Sequence, residues 1–243
     1  MVSFNRKPFL QVPVRDSVDF LGIKEEDTSD YKFKRLSRVS QLKVKILYEF
    51  VVNNKYIPEA HRKPTKKQAE FLVRLDREVF FGGAAGGGKS DALLMAALMF
   101  VEYPQYKAIL FRKTFTDLSL PDALMDRARA WLSDTDAKWE DKRKSWVFPS
   151  GATLTFAYMK TDGDRYRYQS AQFHFIGFDE LTQFNQIVYD YLFSRLRKAA
   201  NDPIPLRVRS ASNPGNIGHD WVKDKFIGTK KFIKSLLTDN PYI

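Results

Sequence analysis

The sequence predicts an α/β fold, a three-layer sandwich with a mostly parallel sheet and helices on both faces, preceded by an N-terminal helical segment. Three observations carry that expectation. Short apolar, β-prone runs alternate with stretches of helical periodicity, one run leads into a glycine-rich turn, and another ends in two adjacent carboxylates. A chain of 243 residues, 44% apolar and 14% aromatic, is long enough to bury a full core.

Residues 1–38 are polar and mixed in charge, with weak periodicity, and read as an arm. From Ser40 to Asn53 the apolar positions Leu42, Val44, Ile46, Leu47, Phe50 and Val51 recur at helical spacing. Lys55 to Pro64 is a linker with two prolines, after which Thr65 caps a helix running to about Leu75 and carrying Gln68, Phe71 and Leu72. Val79-Phe80-Phe81 is the strand before the glycine-rich turn, and Asp91 to Phe100 the helix after it. Lys107 to Phe111 reads as a buried strand and Leu118 to Leu132 as a helix. Trp146-Val147-Phe148 and Thr153-Leu154-Thr155-Phe156 alternate around a turn and predict a β-hairpin. Phe173 to Phe178 is a strand ending in Asp179-Glu180, Ile187 to Leu196 a helix, and Leu206 to Ser212 a strand. The expected division is an arm and helix over 1–63, packed on a core domain over 64–243.

Composition narrows the function classes. Forty Lys and Arg against 29 Asp and Glu give a net charge of +11 and a pI near 9.6, which points to a polyanionic partner, nucleic acid before acidic membrane. Without cysteine there are no disulfides or thiolate metal sites, and His61, His174 and His219 are too scattered in sequence for a histidine cluster. The N-terminus opens no apolar signal segment, and the longest apolar run, Ala92 to Val101, is too short for a bilayer, which needs about 20 residues.

Gly83-Ala84-Ala85-Gly86-Gly87-Gly88-Lys89-Ser90 fits the phosphate-binding loop G-x-x-x-x-G-K-[ST] at every fixed position. Backbone N–H groups wrap a phosphate where no Cβ intrudes, and the following helix, opening at Asp91, adds a dipole that favours the anion. Lys89 is then expected on the β- and γ-phosphates of a nucleoside triphosphate, and the Ser90 hydroxyl on Mg²⁺. Asp179, at the end of an apolar strand, is the second candidate metal ligand, and Glu180 the group that orients or deprotonates water. In a parallel sheet both motifs come to the same strand edge. Asn213 or Ser212, in Ser210-Ala211-Ser212-Asn213-Pro214-Gly215, are candidates for the γ-phosphate or its water, and the amide of Gln68 for adenine. A completing arginine is sought among Arg112, Arg165 and Arg167. Basic clusters at 142–144, at 195, 197 and 198, and at 223, 225, 230, 231 and 234 are candidates for sequence-independent contact with a phosphate backbone.

Gln68, Phe-Gly-Gly-Ala-Ala-Gly-Gly-Gly-Lys-Ser at 81–90, Phe-Ile-Gly-Phe-Asp-Glu-Leu-Thr at 175–182 and Ser-Asn-Pro-Gly-Asn-Ile-Gly-His-Asp-Trp at 212–221 occur in an order that resembles the large terminase subunit of tailed bacteriophages. The resemblance spans roughly residues 64 to 227. It implies a P-loop NTPase core of the RecA-like (ASCE) kind and an Mg²⁺-dependent ATPase that drives double-stranded DNA into a procapsid. It also implies a homo-oligomeric ring, commonly a pentamer, on the portal protein, a small terminase subunit as partner, and action in the host cytoplasm rather than in the virion. By resemblance the adenine, metal, catalytic and coupling roles fall to Gln68, to Ser90 with Asp179, to Glu180, and to Ser212 with Asn213. Where many relatives have Arg-Gly, this chain has Gln169-Ser170. The family's C-terminal nuclease domain is expected to be absent, leaving the ATPase part of a longer protein. Two alternatives are a helicase or repair ATPase built on the same core and a nucleotide-gated DNA-binding module with little hydrolysis.

Overall fold

The computed structural model describes residues 37–84 and 86–239. The expected arm up to residue 36 and Ala85 of the glycine-rich loop lie outside the described residues.

Ser37 opens the first helix, α1 (Arg38–Val52), by accepting the Ser40 N–H on its hydroxyl, and Val44, Leu47 and Val51 turn inward. Helix α2 (Lys66–Val73) begins with a reciprocal capping box between Thr65 and Gln68. Strand β1 (Glu78–Gly83) runs through the glycine loop into α3 (Lys89–Leu98). Strand β2 (Lys107–Arg112) follows, and then, where one helix is expected over 118–132, two: α4 (Phe115–Ser119) and α5 (Leu124–Leu132). The break is at Pro121, which holds Leu120 extended (φ −58°, ψ 155°) and so ends the first helix.

Strands β3 (Lys138–Glu140), β4 (Ser145–Val147) and β5 (Thr153–Tyr158) form an antiparallel meander that contains the expected hairpin, with Trp146 opposite Leu154. A 3₁₀ turn over Asp162–Tyr168 leads to β6 (Phe175–Asp179), α6 (Gln186–Phe193) and β7 (Arg207–Ser212). A short α7 (His219–Val222) continues into a π-helical turn, Lys223–Ile227, before the last strand, β8 (Phe232–Ser235).

All eight strands join one sheet in the order β3-β4-β5-β2-β6-β7-β1-β8. The pairings from β5 to β8 are parallel. Alternation along each strand separates the two faces. Val79, Phe81, Ala108, Leu110 and Leu154 meet α1, α2, α3 and α5, whereas Phe80, Ile109, Phe111, Ile176 and Phe178 meet α6 and Phe226 of the π turn. The sandwich therefore has three layers, and α1 shares a core with α3.

Two edge strands, β3 and β8, are additions to the sequence reading. A third difference matters more for the site: β7 lies between β1 and β6, so the glycine loop and the acidic pair are separated by the strand that ends in Ser212.

Candidate nucleotide site

Register brings the site together. Gly82 of β1 lies beside Ser212 of β7, and Ala211 beside Asp179 of β6. Three neighbouring parallel strands thus end at one edge, where α/β sheets bind their ligands.

The glycine loop needs its glycines for packing as much as for conformation. Gly88 caps α3 in the left-handed region (φ 68°), and a Cβ on Gly87 would stand 1.9 Å from the Ser235 hydroxyl. Two braces from outside the motif hold the loop. On one side the carbonyl of Ser235 in β8 accepts the Ala84 N–H at 3.0 Å. On the other the Gln68 amide Nε2 donates to the Gly88 carbonyl at 2.9 Å. Gln68 is thus at the loop, with its carbonyl Oε1 accepting the Thr65 N–H at 2.9 Å.

Lys89 is buried and folds back, its ammonium donating to the carbonyl of Ala84 and lying 3.5 Å from that of Gly83. Burial lowers its pKa, while the charges of Glu180 and Asp179 act in the opposite sense. Lysine and both carboxylates therefore share one electrostatic environment. Ser90 lies in the first turn of α3, and Asp91 next to it pairs with Arg127 of α5 at 2.6 Å.

Asp179 is almost wholly buried and pairs with Arg112 at 2.8 Å. Burial nevertheless pushes its carboxyl up to about 6, with Glu180 adding to the rise and Arg112 opposing it. Desolvation outweighs the ion pair here, and Lys89 and, more weakly, Arg127 are further cations acting on the same carboxyl. Arg112 is thus the charge partner of the candidate metal ligand, and its Nε–H is buried without a partner.

Glu180 adopts a left-handed backbone (φ 54°, ψ 54°), a strained state for a non-glycine residue, and its side chain reaches the end of β7. Its carboxylate accepts the Ser212 O–H at 2.9 Å and the Asn213 N–H at 3.3 Å. Behind Ser212 stands Thr182, with its Oγ1 2.7 Å from the Ser212 Oγ, and Asn216 donates to Thr182 at 3.3 Å. The Asn213 carbonyl lies within reach of both hydroxyls, 2.9 Å from Ser212 and 3.3 Å from Thr182, so one polar network joins Asn216, Thr182, Ser212 and Asn213 to Glu180. The Asn213 Oδ1 is buried with no partner.

Arg165 and Arg167 lie apart from this constellation. Arg165 stacks 4.4 Å above the Tyr166 ring, and Arg167 pairs with Asp164 at 2.8 Å, both on the 3₁₀ turn. Among the described residues, neither hydrogen-bonds to the loop or pairs with Asp179 or Glu180. Four residues at the site were given no role from the sequence: Thr182, Asn216, Arg127 and Ser235. Thr182 had a signal, sitting two positions after Glu180, whereas Arg127 and Ser235 arrive from elements whose placement only the tertiary fold decides.

The residues present fit a metal-bound triphosphate. An unpaired guanidinium N–H on Arg112 and an unpaired acceptor on Asn213 are orphaned at the edge where the loop opens. Among the described residues no group of three or more His, Asp or Glu gathers to hold a cation.

Residues 80–235, more than half of the chain, match the model for the terminase large subunit, T4likevirus-type, N-terminal. The chain belongs to this family. Its fold is similar to that of the large terminase from a thermophilic bacteriophage, at a TM-score of 0.58 and 15% identity over 74% of this chain and 47% of that one. The same thermophilic phage terminase solved with ADP gives 0.56 and with ATP-gamma-S 0.55, each at 14% identity over 74% of this chain and 47% and 46% of those chains. This terminase chain therefore spans about half the length of the solved terminases it matches. A comparison with curated protein sequences finds no match. Among the described residues, no helix of this terminase is long and apolar enough to cross a membrane.

Proposed function

We propose that this chain is the ATP-hydrolysing motor of a phage DNA-packaging terminase, converting ATP and water to ADP and phosphate to drive double-stranded DNA into a procapsid. The observation that carries the reading is that Lys89, Asp179 and Glu180 share one electrostatic environment at one strand edge, with Ser212 between them. In this reading Lys89 leaves the carbonyls of Gly83 and Ala84 for the β- and γ-phosphates. The loop N–H groups from Gly83 through Ala84, Ala85, Gly86, Gly87 and Gly88, with the start of α3 at Ser90 and Asp91, cradle the anion. Ser90 and Asp179 would hold Mg²⁺, which when bound neutralises charge on the phosphates. Glu180 takes the proton of the attacking water once Ser212 and Asn213 release it, and those two residues couple loss of the γ-phosphate to movement of the loop after β7.

Arg112 is engaged by Asp179, which favours a completing arginine from a neighbouring subunit. Arg167, with 59% of its side chain exposed, is the candidate to serve a neighbour's site. The partners proposed are double-stranded DNA, the portal protein, the small terminase subunit and further copies of this chain in a ring, in the host cytoplasm. The unit proposed for this work is residues 64–243, with α1 packed against its core. The test is ATP turnover with and without DNA, at low and high protein concentration. Lys89→Ala and Glu180→Ala are each expected to lose it by at least about a hundredfold, and near-wild-type turnover in either variant would refute the assigned roles. Turnover per subunit that rises with concentration is the expected mark of a site completed in trans.

A further inference from the structure

We infer that Arg127 is a positioning residue that neutralises Asp91, so that the helix end behind the glycine loop can receive the negative charge of a triphosphate. The inference rests on the nucleotide reading of the site. Asp91 follows Ser90 in the first turn of α3, and no other acid stands in that turn. In an ordinary helix a carboxylate at this place is stabilising, because it answers the positive end of the dipole. Behind a phosphate loop the same carboxylate is a rival. It competes with the phosphates for the helix end and repels them.

Arg127 of α5 supplies the counter-charge. Its guanidinium Nη1 donates to the Asp91 carboxylate at 2.6 Å, and the two side chains are only 34% and 17% exposed. Partial burial lessens screening by salt, so the pair holds more firmly than one at the open surface. The guanidinium is also held from behind. Its Nε donates to the Asp122 carbonyl at 2.6 Å, and Asp122 sits in a left-handed turn (φ 61°) closed by its N–H donating to the Asp126 carboxylate at 3.0 Å. The turn after Pro121, which separates α4 from α5, therefore aims Arg127 at the loop helix. Arg127 also lies within electrostatic range of Asp179 on β6, which puts the pair on the side of α3 that faces the strand edge.

The test removes the two charges singly and together. Binding of ATP and of inorganic tripolyphosphate is measured by calorimetry at low and high salt, with circular dichroism to check folding. Arg127→Gln bares the Asp91 carboxylate and is expected to weaken both ligands by about tenfold at low salt and by less at high salt. Arg127→Lys keeps the charge and is expected to lose no more than about threefold. The deciding variant is Asp91→Asn combined with Arg127→Gln, expected to recover binding to within about threefold of wild type. A double variant as weak as Arg127→Gln alone would overturn the inference, because Arg127 would then either touch the ligand itself or simply prop α5. Asp91→Asn alone leaves a surplus cation and is expected to tighten both ligands by about threefold; weaker binding there would overturn the inference too, and this arm decides the matter if Arg127→Gln does not fold. A wild type that binds neither ligand removes the nucleotide reading, whereas a wild type that binds both, with no loss in Arg127→Gln, removes the inference alone.

Discussion

The two ends of strand β7 bury polar groups in opposite ways. At its start Arg207 and Arg209 are almost fully buried yet well supplied with partners. Arg209 donates to the carbonyls of Phe71, Arg74 and Asp76 at 3.2, 2.7 and 3.1 Å, and Arg207 donates to that of Leu72, so both cap the C-terminal end of α2. Burial lowers both guanidinium pKa values, that of Arg207 to about 10, which leaves it charged at neutral pH. At its finish the strand meets Glu180 in a strained backbone, an orphaned Asn213 acceptor and a chain of hydroxyls that each have one proton to give. Buried charge alone therefore does not mark the working end. Strain and unfinished hydrogen bonding do, because they leave an arrangement that a ligand can complete.

The sharpest way to break this comparison is to cut each end separately. Arg209→Ala strips a guanidinium from several helix-end carbonyls and is expected to cost about 4 kcal/mol or more of stability, measured by urea unfolding. A loss under about 1 kcal/mol would mean that the lower end is not the structural anchor.

Asp179→Asn sharpens the contrast through pH. The folded carboxyl titrates near 6 against an ordinary value of 3.8, so between those values the folded state binds more protons than the unfolded one. Stability of the wild type must then fall as pH rises through that window, by at most about 3 kcal/mol. Unfolding curves at pH 4, 5.5 and 7 are expected to show this fall in the wild type and its loss in Asp179→Asn. A wild type that instead gains stability relative to the variant over that range would show that the Arg112 pair, not burial, dominates.

Ser212→Ala should be the mildest in stability, about 1 kcal/mol, and yet lower ATP turnover by about tenfold, because the hydroxyl that couples Glu180 to the loop after β7 is lost. Thr182→Val, one step further along the chain, is expected to have a smaller effect in the same direction. Equal, purely structural losses at Ser212 and Arg209 would erase the difference between the two ends.

How far the sequence reaches follows the same division. The glycine loop and the Asp179-Glu180 strand end were legible because their chemistry fixes residue types at fixed spacing. Pro121 was also legible in principle, since its restriction on Leu120 breaks the helix whatever surrounds it. Strand β8 was not, because four residues with Lys234 on the sheet edge carry too little pattern, and its contact with the loop through Ser235 exists only once the sheet is assembled. The placement of β7 between β1 and β6 is likewise a property of strand order, which periodicity does not encode. Gln68 was found as a residue of the site, but its partners, Thr65 and Gly88, depend on how α2 docks.

The most direct test of the central claim is a crystal structure of this chain with a non-hydrolysable ATP analogue and Mg²⁺. Lys89 is expected to have moved from the Gly83 and Ala84 carbonyls onto the phosphates, with Asp179 at the metal and Glu180 facing the γ-phosphate across a water. An analogue bound away from the Gly83–Ser90 loop, or a γ-phosphate reached by Lys89 with Glu180 on another surface, would contradict the account.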